Sequence, residues 1–452
     1  MEKIARITNK SDVRYYIEEL ELNYNGNDAQ TYFQGKNYHF SLDKVNEIDE
    51  HVFFVWIGSL DLNKLKYLNI WRKSYDKLHL WIDSRTILYS HLSLIVKLIE
   101  RKYGLSMIES QNYFFSKCKY LSTVTITSFV DSELPELVET LNDTLDIHAK
   151  TAKSLARHYI IHEVSDEIDF ISNDLERFYS YEVALRGNLA AASDIIRLSI
   201  LYQYGGTYVD VDTLPNFRHM FQNSYNYSSK ENVNLNLFDS YMSKIYYNLV
   251  SDIAGEIYSK LENSETDLYI ESVLPHIKNH ISRDIELLDK QNFVKFEPPR
   301  SIRNLVCISV NENNFHEFNN NILSCKRNSK LIKICVREMC RRYKYVEKRN
   351  FHRLNRRILD QEISINHHYE RMCRYRVDNT EVQENLCTLV LSGPTLILEV
   401  LLGCTAEILG TSARAVSIAA ILRNPTLGIA FENQVMYTSE HLNSSWLINK
   451  NM

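Results

Sequence analysis

The amino-acid sequence predicts an α/β fold, a parallel sheet carrying large helical additions. Three observations lead there. His51 to Gly58 reads HVFFVWIG, a continuous apolar run of β-branched and aromatic residues, as expected of a strand buried on both faces. Leu78 to Asp83 reads LHLWID, a second such run, and the stretch between places Leu62, Leu65, Leu68 and Trp71 at helical spacing. Strand, helix and strand in so short a span form a βαβ unit with a right-handed crossover. Finally, Gly 12 and Pro 7 in 452 residues fall far below the usual shares of about 7% and 5%, so long helices and few tight turns are expected.

The chain divides by composition. Residues 1–48 are polar and helix-patterned, with Tyr15, Tyr16, Leu20 and Leu22 as apolar positions. Residues 49–215 hold the predicted core, of which 85–180 reads as mainly helical. Residues 216–385 read as a helix-rich polar subdomain, and 386–452 returns to apolar, core-like sequence. No Gly/Ser or Pro-rich linker separates these parts, which favours one unit with subdomains. Thr388 to Cys404 is the most apolar late stretch, but Gly393-Pro394 and Glu399 interrupt it and it is too short to span a membrane. The N-terminus lacks the apolar core of a signal peptide. Eight scattered cysteines without a CxxC pair read as reduced thiols.

A net charge of -5 argues against a nucleic-acid binder. One segment departs from that balance. Cys325 to Arg357 carries thirteen Lys/Arg against two Glu. With Leu331, Ile334, Tyr345, Phe351 and Leu354 interspersed, it suits a solvated helix pair with an apolar inner stripe. It also suits docking of 326–357 onto an acidic protein or anionic lipid headgroups.

Chemistry concentrates in Asn188 to Pro215, NLAAASDIIRLSILYQYGGTYVDVDTLP. Leu189 to Tyr204 is a helix of Ala, Ile and Leu closed by Gly205-Gly206. Asp194 and Arg197 lie three apart and share a face of it. After the glycines, TYVDVDTL alternates, so Val209 and Val211 point one way while Tyr208, Asp210 and Asp212 point the other. Alone, a D-x-D triplet is a weak signal, since most such triplets are solvated turns or strand ends. Following ASD-x-x-R and GG-x-Y at fixed spacing, it places two carboxylates where Mg²⁺ or Mn²⁺ would be held with positions left open for a diphosphate. Such an ion would stabilise charge on a departing nucleotide diphosphate.

This block resembles the catalytic domain of the large clostridial glucosylating toxins (toxin A and toxin B) and related bacterial effector glycosyltransferases. The resemblance recurs at Phe54 to Gly58, at the LHLWID strand, and at Ser444, Ser445 and Trp446. It implies a GT-A, Rossmann-like core with large helical insertions and a C-terminal lid. The activity it implies is metal-dependent transfer of glucose or GlcNAc from UDP-glucose or UDP-GlcNAc, with retention, to a host-cell protein such as a small GTPase, and not to nucleic acid. It further implies a toxin or effector secreted without a cleaved signal peptide that acts in the host cytosol.

Carried over by position, Trp56 would stack on uracil, while Asp194 and Arg197 would hold the donor sugar. Tyr208 would support the donor, Asp210 would contact ribose and sugar, and Asp212 would bind Mn²⁺ or Mg²⁺. Trp446 would close over the β-phosphate. The toxins place an acid five residues before that tryptophan and a serine two before it; here these are His441 and Ser444, with Glu440 one residue earlier. The related arginine-modifying effectors use an Asn-x-Ser pair, which Asn443 and Ser445 would supply as metal ligands. Three other readings stay open from the residues. They are a glycosyltransferase building the bacterium's own polysaccharide or glycolipid, a non-catalytic nucleotide- or ion-binding protein, and a nucleic-acid binder built on Cys325 to Arg357.

Overall fold

The computed structural model describes residues 46–48, 51–62, 64–73, 75–118, 123–184, 187–250, 265–288, 301–302, 306–311, 314–348, 386–409, 429–435 and 438. Nine strands fall in these residues: β1 (Asn46–Glu47), β2 (Val52–Ile57), β3 (Leu78–Asp83), β4 (Ile160–Glu163), β5 (Gly206–Val209), β6 (Ser301–Ile302), β7 (Val306–Asn311), β8 (Asn314–Cys325) and β9 (Ile429–Gln434). Seven of them form one mixed sheet in the order β4-β3-β2-β5-β8-β7-β9, and β1 pairs with β6 separately. The β4, β3, β2 and β5 half is parallel. β8 joins β5 antiparallel, and β9 runs parallel to β7.

β2 and β3 appear where the apolar runs placed them, and the register pairs Val52 with Leu78 through Ile57 with Asp83. The reason for the uninterrupted apolar sequence is visible in the packing. Phe53, Val55 and Ile57 enter one core together with Ile195, Ile196 and Leu331, while Val52 and Phe54 enter a second with Leu68, Trp71 and Val209. Both faces of β2 are covered, so neither set of alternate positions can be polar. Phe53 and Phe54 are each fully buried, and burial of an aromatic side chain stabilises by roughly 1.5–3 kcal/mol.

The segment after β5 differs from its helix-rich reading. Helices Gln222–Lys230, Leu235–Val250, Glu265–Val273 and Ile277–Leu287 are present and share a third core through Phe217, Phe238, Tyr246 and Ile281. Beyond them, however, β7 and β8 return to the main sheet, and β8 lies directly against β5. The helical spacing from Leu62 to Tyr75 likewise yields an α-helix only at Leu68–Arg72, preceded by turns. Residues 85–180 are mainly helical as expected, with β4 added at the sheet edge. The polar segment 1–45 lies outside the described residues.

The late apolar stretch forms helices Leu386–Leu391 and Pro394–Leu409, with Pro394 in the first turn, where a missing N–H costs nothing. Leu396, Val400 and Leu401 are fully buried. Among the described residues no helix is long and apolar enough to cross a membrane. Cys118, Cys307, Cys325, Cys335 and Cys340 are free thiols, and all of these but Cys340 are buried.

The basic segment begins with the Lys330–Lys348 helix. Of the expected apolar stripe, Leu331 and Ile334 are buried, beside Cys335, Met339 and Tyr343, while Phe351 and Leu354 lie outside the described residues. Arg342 is completely buried and ion-paired with Glu338 and Glu399 at 2.9 and 2.7 Å. Lys333, Arg337, Arg341 and Lys344 are exposed; Arg341 pairs with Glu338 and Lys344 with Asp174. Residues 349–357 lie outside the described residues.

Candidate active site

The Leu189–Tyr204 helix starts at Asn188, whose side chain accepts the Ala191 N–H at 3.1 Å, and ends at Gly205. Gly205 and Gly206 both have positive φ, 72° and 93°. At Gly206 a Cβ would stand 2.3 Å from the His51 carbonyl oxygen, so only glycine lets β5 lie against β2 here. The tight reversal brings the helix back beside its own following strand, and thereby Asp194 and Arg197 beside Tyr208 and Asp210.

These four residues form one network. Arg197 is ion-paired with Asp194, and its Nη1 lies 3.5 Å from Asp210 Oδ1. Its guanidinium sits over the Tyr208 ring, 4.7 Å from the centroid, and donates to the Asn320 carbonyl at 2.9 Å. The Tyr208 hydroxyl donates to Asp210 Oδ1. Burial pushes the Tyr208 hydroxyl well above its ordinary pKa, so it stays a protonated donor. Asp194 and Arg197 are only 3% and 5% exposed, and charges so deeply placed persist because they are paired. Arg197 Nε is nevertheless a buried N–H without a hydrogen-bond partner among the described residues. Such a donor costs about 1–3 kcal/mol unless a ligand accepts from it.

The D-x-D triplet departs from the predicted alternation in one respect. β5 ends at Val209, and Asp210 to Thr213 forms a turn closed by the Thr213 N–H on the Asp210 carbonyl at 3.0 Å. Val209 and Val211 still pack on the side opposite Tyr208. Asp210 and Asp212 are half-buried on this turn. Their hard carboxylate oxygens suit Mg²⁺ or Mn²⁺. An ion there would be held by Asp212 directly and by Asp210 in part, because Tyr208 and Arg197 already engage Asp210 Oδ1.

Several residues around the turn escaped the sequence reading. The Asn321 carbonyl accepts the Asp210 N–H at 2.8 Å, and Ser392 donates to Asp194 Oδ2 at 2.7 Å. Asn320 Nδ2 lies 3.5 Å from Asp194 Oδ1, and Thr438 donates to the Asp212 carbonyl at 2.8 Å. All come from remote segments, β8 and the last part of the chain. A buried Asn pair within a strand was the available signal, but NNNILS reads as a loop without knowledge of the sheet.

Trp56 lies at the carboxyl end of β2, half-buried, with Nε1 fixed on the Ser59 carbonyl at 2.8 Å. It packs in the same layer as Val211, so it reaches the edge that carries the D-x-D turn. The other predicted strand end, Asp83, serves the fold instead. Its carboxylate is fully buried on Arg85 at 2.8 Å and on the Tyr179 hydroxyl at 2.7 Å. Asn443, Ser444, Ser445 and Trp446, with Glu440 and His441, lie outside the described residues. Thr438 is the last described residue, and its hydroxyl bonds the Asp212 carbonyl on the D-x-D turn.

The sequence pattern of the TcdA/TcdB catalytic glycosyltransferase domain matches residues 131–369, more than half of the chain. Toxin A of Clostridium novyi is 26% identical over 267 residues, 51% of this chain and 11% of that protein. Cytotoxin-L of Paraclostridium sordellii is 27% identical over 208 residues, 38% of this chain and 9% of that protein. The chain thus spans about a tenth of the length of these relatives. Among solved structures, the catalytic domain of alpha-toxin from Clostridium novyi superimposes with a TM-score of 0.63 at 18% identity, covering 90% of this chain and 81% of that one. The UDP-bound glycosyltransferase domain from the YGT toxin gives 0.54 at 18% identity, covering 88% and 82%. At such identities these structures establish a shared fold. The match over 131–369 takes in Asp194, Arg197, Tyr208, Asp210 and Asp212 together, and the chain belongs to the TcdA/TcdB catalytic glycosyltransferase domain family.

Proposed function

We propose that the chain transfers glucose or GlcNAc from a UDP-sugar to a side chain of a host-cell protein, with retention of configuration and with a bound Mn²⁺ or Mg²⁺. The observation that carries this reading is the Asp194–Arg197–Tyr208–Asp210 network at the carboxyl edge of the sheet, with a buried Arg197 N–H left to be satisfied. Ligands of open α/β sheets bind at that edge. Asp194 and Arg197 would fix the sugar hydroxyls, Tyr208 would hold Asp210, and Asp210 would meet ribose and sugar. Trp56 offers a half-buried aromatic surface for uracil.

Asp212, with Asn443 and Ser445, would hold the metal, which when bound neutralises charge on the diphosphate. Ser444 and Trp446 would close over the β-phosphate and exclude water, as a lid does in enzymes that protect an activated donor. In a retaining transfer the departing phosphate itself can take the acceptor proton, so no general base is needed on the opposite face of the sugar. We read the chain as a toxin or effector domain that acts in the host cytosol, with a small GTPase as the first acceptor class to test. The exposed Lys333 and Arg337 within 326–357 would meet an acidic protein surface or anionic headgroups.

The test is hydrolysis of a panel of nucleotide sugars by the purified chain with Mn²⁺. Slow hydrolysis of one UDP-sugar is expected and identifies the donor. No hydrolysis and no binding across the panel would refute the reading.

A further inference from the structure

A second polar cluster lies at the opposite end of the same sheet. His51 immediately precedes β2, His79 is the second residue of β3, and His162 is the third residue of β4. Each offers a ring nitrogen, and these nitrogens all lie within 4.8 Å of one another. His79 Nδ1 and His162 Nε2 are 2.8 Å apart. The rings of His51 and His79 meet edge-on at 4.1 Å, and the fully buried Trp81 stacks on His162 at 4.4 Å. Register sets Thr207 of β5 against Val52, so at about 3.3 Å per residue this cluster lies roughly 13 Å along the sheet from Asp210. The Asp194–Asp210 network uses none of these residues.

The surroundings are those of metal-ligating histidines. The outer nitrogen of His162, Nδ1, bonds Glu167 Oε2 at 2.7 Å, and this turns the Nε2 lone pair inward. Glu167 is held in turn, because its Oε1 accepts the Glu163 N–H at 3.1 Å and its carbonyl accepts from the Tyr204 hydroxyl at 2.8 Å. His51 makes a backbone hydrogen bond to Gly205. The His162 side chain is 19% exposed, which leaves an ion a way in.

We propose that His51, His79 and His162 form a three-imidazole site for a divalent transition ion of the zinc class. Glu167 orients His162, and water takes the fourth position. Zinc with Zn–N near 2.0–2.1 Å in a tetrahedral arrangement needs nitrogens about 3.3–3.4 Å apart. Binding therefore opens the His79–His162 contact by roughly 0.5 Å and draws His51 in. Imidazole suits zinc, copper and nickel, whereas carboxylate oxygens suit Mg²⁺ and Mn²⁺. The two ends of the sheet thus take chemically different ions. The ion at the amino end would tie together β2, β3 and β4 behind the donor site.

The test uses the full chain with Asp210→Asn and Asp212→Asn, which silences the oxygen-ligand site. After removal of metals, the protein is titrated with Zn²⁺, desalted and assayed for bound metal, and separately titrated with Co²⁺ and followed by visible absorption. One zinc per chain, the intense visible bands of a tetrahedral cobalt site and a rise in Tm with zinc are expected, all lost in His79→Gln and His162→Gln. Glu167→Gln keeps all three imidazoles and should weaken zinc binding about 10–100-fold, a readout that stands even if a histidine variant fails to fold. Failure of the parent chain to retain stoichiometric zinc, or zinc affinity unchanged in Glu167→Gln, would overturn the proposal.

Discussion

The two ends of the central sheet show two ways of assembling a polar site. At the carboxyl edge, Asp194, Arg197, Tyr208 and Asp210 come from one helix and the strand that follows it, folded back through Gly205-Gly206. At the amino end, His51, His79 and His162 come from three strands brought side by side by parallel pairing. The first is local in sequence and announces itself by spacing. The second exists only once β2, β3 and β4 are in register. Chemistry written into one segment can be read from that segment, whereas chemistry made by topology cannot.

The largest expected effect sharpens the carboxyl-edge side of this comparison. Asp210→Asn combined with Asp212→Asn removes the carboxylates of the turn and should lower sugar transfer or hydrolysis at least about 100-fold, since metal stabilisation of the transition state amounts to several kcal/mol. An unchanged circular-dichroism spectrum would show that the fold survives. Next, Arg197→Ala leaves Asp194 buried without its cation. A loss of about 3–5 kcal/mol is expected, read by denaturant titration. If stability is unchanged, the network is not the tightly coupled unit described here.

Gly206→Ala probes the reversal that makes the site local. A Cβ there meets the His51 backbone in a positive-φ conformation, so a loss of about 1–3 kcal/mol is expected. This one substitution presses on both ends of the comparison, because His51 belongs to the amino-end cluster. The smallest effect is expected of Thr438→Val, which deletes the hydrogen bond to the Asp212 carbonyl for about 0.5–1.5 kcal/mol. Its signature should be a raised KM for the donor with little change in Tm.

How far the sequence was legible follows the same division. The apolar runs gave away β2 and β3 because both faces of those strands are covered. The 16-residue helix and its glycine stop were equally plain. β4, IIHE, escaped because it is a four-residue edge strand with one exposed and three half-buried positions. β8 escaped because it buries Asn320 and Asn321, whose polar groups are satisfied by Asp194, Ser309 and Thr213 instead of by water. Ser392 and Thr438 reach the site from segments with no local mark of chemistry. The D-x-D triplet reads as strand in the sequence because alternation continues through Val211, one residue past the last backbone bond to β8 at Asp210.

The most direct test of the central claim, that the network around Arg197 is a nucleotide-sugar site, is calorimetric titration of the chain with UDP in the presence of Mn²⁺, beside the Asp210→Asn/Asp212→Asn variant. Saturable binding to the parent chain, lost or greatly weakened in the variant, is the predicted result. No binding to the parent, or equal binding to both, would contradict it.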